Sequence, residues 1–150
     1  MIEFINKNKD RKICIIVSGD TGFYSLLSFL RKNYSREELN VIPGISSYQY
    51  LFSRIGEVWQ DYKLLSVHGR EAEYVDIFSK ERGIVLLTDN VNTPYVIAKN
   101  IYEAGYRDVE IVVGERLSYP DEKITFINIG DYEKLNREFF INLMIVRKKS

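Results

Sequence analysis

Four short stretches hold most of the residues able to meet a small ligand: Ser18-Gly19-Asp20-Thr21-Gly22-Phe23, Gly44-Ile45-Ser46-Ser47, His68-Gly69-Arg70 and Gly114-Glu115-Arg116-Leu117-Ser118-Tyr119. Each begins where an apolar run ends, and in open α/β sheets ligands bind beyond the carboxyl ends of strands. Small and polar residues at such places let the backbone approach a ligand closely. The first stretch matches neither the phosphate-cradling loop nor the dinucleotide fingerprint, because no lysine follows its glycines and the spacing differs. Asp20 sets a carboxylate beside exposed backbone groups, which suits a ligand with a cationic or hydroxylated head and no phosphate. Aspartate also caps helices, and both readings of Asp20 stand. His68, the only histidine, is either a general base or a hydrogen-bonded structural residue. Arg70 can meet a substrate carboxylate or pair with Glu71 or Glu73 at the surface, a contact worth little. Phe23 and Ser46 have bland readings too, as a core aromatic and a helix cap. No cysteine–histidine cluster suggests a metal.

The elements that must position these loops are legible as a pattern. Ile13-Cys14-Ile15-Ile16-Val17 reads as a strand buried on both faces, with Cys14 a buried small hydrophobe. A helix is expected over 23–33 from the spacing of Leu26, Leu27 and Leu30, then a short strand at Val41-Ile42 ended by Pro43-Gly44. A second helix runs from Ser46-Ser47 to Ile55 and stops at Gly56. Strands follow at 63–67, 84–88, 109–113, 123–129 and 141–147, with helices at 72–80 and 94–104. Pro94 suits a first helical turn and Gly105 a carboxyl-terminal cap. Alternating strands and helices imply an α/β fold with a mostly parallel sheet, and the late consecutive strands imply a mixed edge. Pro43-Gly44 divides the chain into 1–43 and 44–150. The polar run Asn6 to Lys12 reads as solvated surface.

Composition narrows the function classes. Lys plus Arg equals Asp plus Glu at 21 each, and the pI is near 6.6, so the chain lacks the electrostatic footprint of a nucleic-acid binder. One cysteine cannot form an internal disulfide. Met1 to Arg11 is too polar for a secretory signal, and no apolar run approaches the ~20 residues of a membrane span. The expectation is a soluble, cytoplasmic protein.

The order Ser18-Gly19-Asp20-Thr21-Gly22-Phe23-Tyr24-Ser25, Ile42-Pro43-Gly44-Ile45-Ser46-Ser47, His68-Gly69-Arg70 and Gly114-Glu115-Arg116-Leu117-Ser118-Tyr119-Pro120-Asp121-Glu122-Lys123-Ile124 resembles the tetrapyrrole (corrin/porphyrin) methylase family. Within it, the resemblance is to members that methylate carbon 5 of precorrin-6Y or cobalt-precorrin-7 in cobalamin biosynthesis. It runs from about Ile13 nearly to the end. It implies two α/β lobes, here a partial first lobe and a complete second lobe with a mixed sheet. It also implies a homodimer and S-adenosylmethionine as methyl donor, held in the cleft between the lobes. Position by position, it makes Gly19, Asp20, Phe23, Ser46, Ser47, His68, Leu117 and Ser118 donor contacts, with Arg70 facing the corrin precursor. A separate carbon-15 methyltransferase and decarboxylase is an implied partner. Nothing before Ile13 resembles the family's opening strand and Gly-Pro-Gly-Asp loop, so the resemblance implies a chain lacking that segment, with activity in doubt. A methylase of the same family with another substrate and a non-catalytic dimerisation or binding module are the competing readings.

Overall fold

The structure, a computed structural model, describes residues 1–67 and 73–149. It divides into two compact units, Met1–Ser46 and Ser47–Ser150.

The first unit has little regular structure. Helix α1 (Ile2–Lys7) is held by Ile5 N–H donating to the Met1 carbonyl and by a Glu3–Lys7 pair one turn apart at 2.7 Å; its last two residues, Asn6 and Lys7, fall in the run read as solvated surface and both are exposed. Helix α2 is a single turn, Leu27–Leu30, where a helix over 23–33 was expected. Flanking residues add turns, with the amides of Leu30, Arg31 and Tyr34 donating to carbonyls four residues back. Leu30 is the unit's buried apolar side chain. The expected strands at 13–17 and 41–42 are not formed: Ile13, Ile15, Ile16, Val41 and Ile42 are exposed, and Cys14 is exposed rather than buried. A strand must pair its backbone with a neighbour, and among the described residues no strand lies beside either run. β-branched composition alone does not supply one.

The second unit is a five-stranded sheet, β1 (Tyr62–Ser66), β2 (Gly83–Leu87), β3 (Val109–Glu115), β4 (Lys123–Asn128) and β5 (Asn142–Lys148), in the order β1-β2-β5-β3-β4. Among the described residues only β1 and β2 pair in parallel; β5 runs antiparallel to β2 and β3, and β3 to β4. The expectation of a mostly parallel sheet therefore fails, because the last strand enters the middle of the sheet and reverses the direction of its neighbours' ladders. The mixed α/β character holds.

Alternation along the strands sorts the core into two faces. Ile84, Leu86, Ile111, Val113, Met144 and Val146 point one way, under helices α4 (Tyr74–Lys80) and α5 (Pro94–Glu103) and a 3-10 segment, Ile129–Leu135. Helix α5 starts where expected, with Thr93 Oγ1 accepting from Val96 N–H and Pro94 at its first position. Val85, Val112 and Ile145 point the other way and are equally buried. On that face lies α3 (Ser47–Ile55), whose Phe52 meets Tyr62 edge-on at 4.8 Å. Arg147, on the same face of β5, pairs with Glu110 of the adjacent strand at 2.8 Å and with Glu57 beyond α3.

Tyr62 lies across Gly83. A Cβ there would fall 2.5 Å from Tyr62 Cε1 and 2.9 Å from the Val146 carbonyl oxygen. One neighbour is backbone and cannot yield cheaply, so Gly83→Ala is expected to lower stability by about 1–3 kcal/mol. An unchanged urea midpoint would contradict this packing.

Candidate functional site

The register places the carboxyl ends of β1, β2 and β3 on one edge of the sheet: Leu87 pairs with Ser66 and Leu143, and Glu115 with Asn142 and Lys123. The loops after these three strands therefore leave from the same side. The loop after β1 contains His68, Gly69 and Arg70, which lie outside the described residues.

The loop after β3 has the most distinctive geometry. Arg116 and Ser118 have φ of 45° and 68°, the left-handed region that disfavours residues bearing a Cβ by roughly 1–2 kcal/mol each. Several interactions hold it there. Arg116 N–H donates to the Ile141 carbonyl at 2.9 Å, and Arg116 Nε pairs with Asp121 at 2.6 Å. Ser118 N–H donates to Glu122 Oε2 at 2.7 Å, while Glu122 Oε1 accepts from Arg54 Nε at 2.8 Å. Tyr50 also hydrogen-bonds Glu122. Leu117 folds back over Gly114, where an added Cβ would lie 3.0 Å from Leu117 Cδ2 and 3.1 Å from Leu51 Cδ1. Tyr50, Leu51 and Arg54 all belong to α3, so this loop is fastened to the helix that Ser47 begins. Among the described residues, no hydrogen bond engages the backbone N–H or C=O of Leu117. A donor and an acceptor on one peptide-linked residue match the edge of a purine bearing an amino group beside a ring nitrogen.

In the first unit, Gly19 adopts φ 69° and Asp20 Oδ1 accepts from Gly22 N–H at 2.7 Å. Asp20 closes its own turn and caps no helix: α2 begins at Leu27, and its N-cap, Leu26, makes no side-chain cap bond. Among the described residues, Asp20 Oδ2 enters no hydrogen bond. The Pro43-Gly44 turn packs on this loop so tightly that a Cβ on Gly44 would sit 2.3 Å from the Gly19 carbonyl oxygen. Ser46, two residues on, is buried. Phe23 is half-buried and edge-on to Tyr24 at 5.0 Å, in a turn rather than on a helix. Gly19, Asp20, Phe23 and Ser46 thus belong to the first unit, and Ser47, Leu117 and Ser118 to the second. Within each unit the grouping is local.

Sequence reasoning passed over the loop after β2 and the segment before β5, which enclose a cleft of about 1000 Å³. Asp89 Oδ1 accepts from the amides of Val91 and Asn92, and Asn92 Nδ2 ties the loop to the Val67 carbonyl at 3.2 Å. Thr88 Oγ1 donates to Asn142 Oδ1 at 2.6 Å, and Arg137 pairs with the buried Glu115 while stacking on Phe139. The signal was available, since Thr88-Asp89-Asn90 also begins where an apolar strand ends. Among the described residues there is no cluster able to hold a metal ion, and no helix long and apolar enough to cross a membrane.

The fold is that of a mixed α/β protein with three loops leaving one end of its sheet. A family profile, Tetrapyrrole (Corrin/Porphyrin) Methylases, matches residues 2–133, and the chain belongs to this family. The match begins at residue 2 rather than near Ile13. Cobalt-precorrin-7 C(5)-methyltransferase of Salmonella typhimurium is 27% identical over 97% of this chain and 71% of its own length. The probable cobalt-precorrin-7 C(5)-methyltransferase of Methanocaldococcus jannaschii is 30% identical over 87% of this chain, which spans 65% of that protein. The crystal structure of a precorrin-6Y methylase from Archaeoglobus fulgidus superposes with a TM-score of 0.70 at 20% identity, covering 99% of this chain and 69% of that one. Uroporphyrin-III C-methyltransferase from Thermus thermophilus, solved with S-adenosylhomocysteine, gives 0.62 at 20% identity over 86% and 62%. The relatives are described as methyltransferases, and one of them was solved with S-adenosylhomocysteine bound.

Two carboxyls in the loop after β3 titrate below their ordinary values of 3.8 and 4.5: Asp121, through the Arg116 guanidinium paired with it, and Glu122, chiefly through the Ser118 amide. A depressed folded pKa contributes stability above the unfolded pKa, and that contribution is lost as pH falls through the folded value. The Ser118 amide resonance is therefore expected to hold its position from neutral pH down to 4.5 and to move only below it. A transition centred above about 5 would contradict the assignment.

Proposed function

We propose that this chain carries out S-adenosylmethionine-dependent methyl transfer to carbon 5 of a precorrin or cobalt-precorrin in cobalamin biosynthesis. The carbon-5 assignment rests on the two relatives that bear that activity in their names. The methyl-donor assignment is supported in the chain itself by the unspent backbone pair of Leu117, held between two left-handed residues. These groups fit the donor: Leu117 N–H and C=O suit the adenine edge, and the uncommitted oxygen of Asp20 suits an ammonium or a ribose hydroxyl.

In this reading Gly19, Asp20, Phe23 and Ser46 contribute donor contacts from the first unit, and Ser47, His68, Leu117 and Ser118 from the second. Residues 1–43 represent part of an N-terminal lobe and 44–150 a C-terminal lobe. When bound, the donor supplies an electrophilic methyl on sulfonium; a bond from the ring carbon to that methyl forms as the carbon–sulfur bond breaks. The protein's work is then to hold the two reacting carbons in line at near contact, a placement term that can reach several orders of magnitude. His68 is the candidate to accept the ring proton, and Arg70 to pair with an acetate or propionate arm. The protein acts in the cytoplasm as a homodimer, with a separate enzyme treating carbon 15.

Titration calorimetry with S-adenosylhomocysteine tests the donor assignment. At a hundredfold excess over Kd the ligand is expected to stabilise the chain by about 2.7 kcal/mol. Asp20→Asn keeps the acceptor for Gly22 N–H but removes the charge, and is expected to weaken binding about tenfold. Absence of binding to the unmodified chain would overturn the proposal. Incubation with a cobalt-precorrin, read by mass spectrometry, then separates the carbon-5 assignment from other macrocycle substrates.

A further inference from the structure

The loop after β3 contains a carboxylate whose position is not explained by solvation or by a single ion pair. Glu122 has only 12% of its side chain exposed. It looks inward in two directions. Oε2 accepts the amide of Ser118, the residue with φ 68°, and Oε1 accepts Arg54 Nε on α3, with the Tyr50 hydroxyl as a third partner. Arg54 is more than half exposed, so its own contribution is that of a surface ion pair, which is small. The bond to Ser118 differs in kind. A charged acceptor on a backbone N–H is among the stronger hydrogen bonds, and this one fixes a peptide in a conformation that serine does not otherwise prefer. Leu117, between Ser118 and the equally left-handed Arg116, inherits its orientation from that bond.

We propose that Glu122 is a positioning residue for the nucleoside. It acts through Ser118 to set the angle at which Leu117 N–H and C=O meet the purine, and so governs both affinity and base discrimination. The inference rests on the donor-binding reading above. The alternative is that Glu122 merely fastens the loop to α3. In that case Arg54 and Glu122 share one role and their removal has the same effect.

The test compares unmodified chain, Glu122→Gln and Arg54→Ala, using S-adenosylhomocysteine and its inosine counterpart, in which an oxo group replaces the purine amino group. Glu122→Gln cannot serve Ser118 and Arg54 as the carboxylate does. It is expected to weaken binding of S-adenosylhomocysteine about tenfold and to erase most of the preference over the inosine analogue, with donor KM raised and kcat little changed. Arg54→Ala leaves the Ser118 bond in place, and its affinity should stay within about twofold of the unmodified chain. The Ser118 amide resonance reports the loop directly, and should shift in Glu122→Gln but not in Arg54→Ala. Equal losses in both variants, or full discrimination retained by Glu122→Gln, would overturn the positioning role while leaving the methyl-donor assignment intact. Failure of the unmodified chain to bind either nucleoside would overturn both.

Discussion

The second unit depends on the hydrogen-bond ladder of β5. This strand supplies one ladder to β2 and another to β3; without it the sheet would fall into two pairs, β1 with β2 and β3 with β4, neither able to stand alone in water. Its side chains Leu143, Met144, Ile145 and Val146 are all buried, alternating between the two faces, so the same residues join both halves of the core. Because β5 runs against both neighbours, its first residue, Asn142, arrives at the edge where β1, β2 and β3 end. The strand that unites the core thereby also brings the 137–142 segment to that same edge, where Glu115 and Thr88 secure it.

At that edge the chemistry is one of presentation. The loop between β3 and β4 keeps two Cβ-bearing residues at positive φ, a local strain of the sort that accumulates where a fold must display a particular peptide. The strain is opposed by two carboxylates with separate duties. Asp121 holds the guanidinium of Arg116, and Glu122 holds the amide of Ser118. Gly114 leaves room beneath for Leu117 and Leu51 to meet. A methyl donor that is already activated asks for little acid–base machinery, so placement carries most of the work.

Much of this was readable in the residues, and the failures have physical causes. The helices beginning at Ser47 and Pro94 carry local start and stop signals, including Thr93, Pro94 and the positive φ of Gly56 and Gly105, and local signals survive in any context. Strand positions in 62–148 were legible because each is an apolar run between breakers. Their pairing was not, since nothing in Leu143 to Val146 records which neighbours it will meet. The run Ile13 to Val17 misled for the same reason: β-branched residues state a preference for pairing, and the partner is a property of the fold. Asp20 was balanced between cap and ligand contact; its bond to Gly22 removes the cap. Glu122 escaped notice because Arg54 lies 68 residues before it in the sequence, and only tertiary packing joins the two.

The central place of β5 has a bearing on how the protein is made. Synthesis is vectorial, and β5 follows every other strand of the sheet in the chain. While residues 116 to 141 are still being added, β2 and β3 each have an apolar edge with no β5 yet available to close it. Pairings of such long sequence separation are slow to form, and unpaired apolar edges are what nascent chains aggregate through. The sheet consequently cannot close until Leu143 to Val146 have been made.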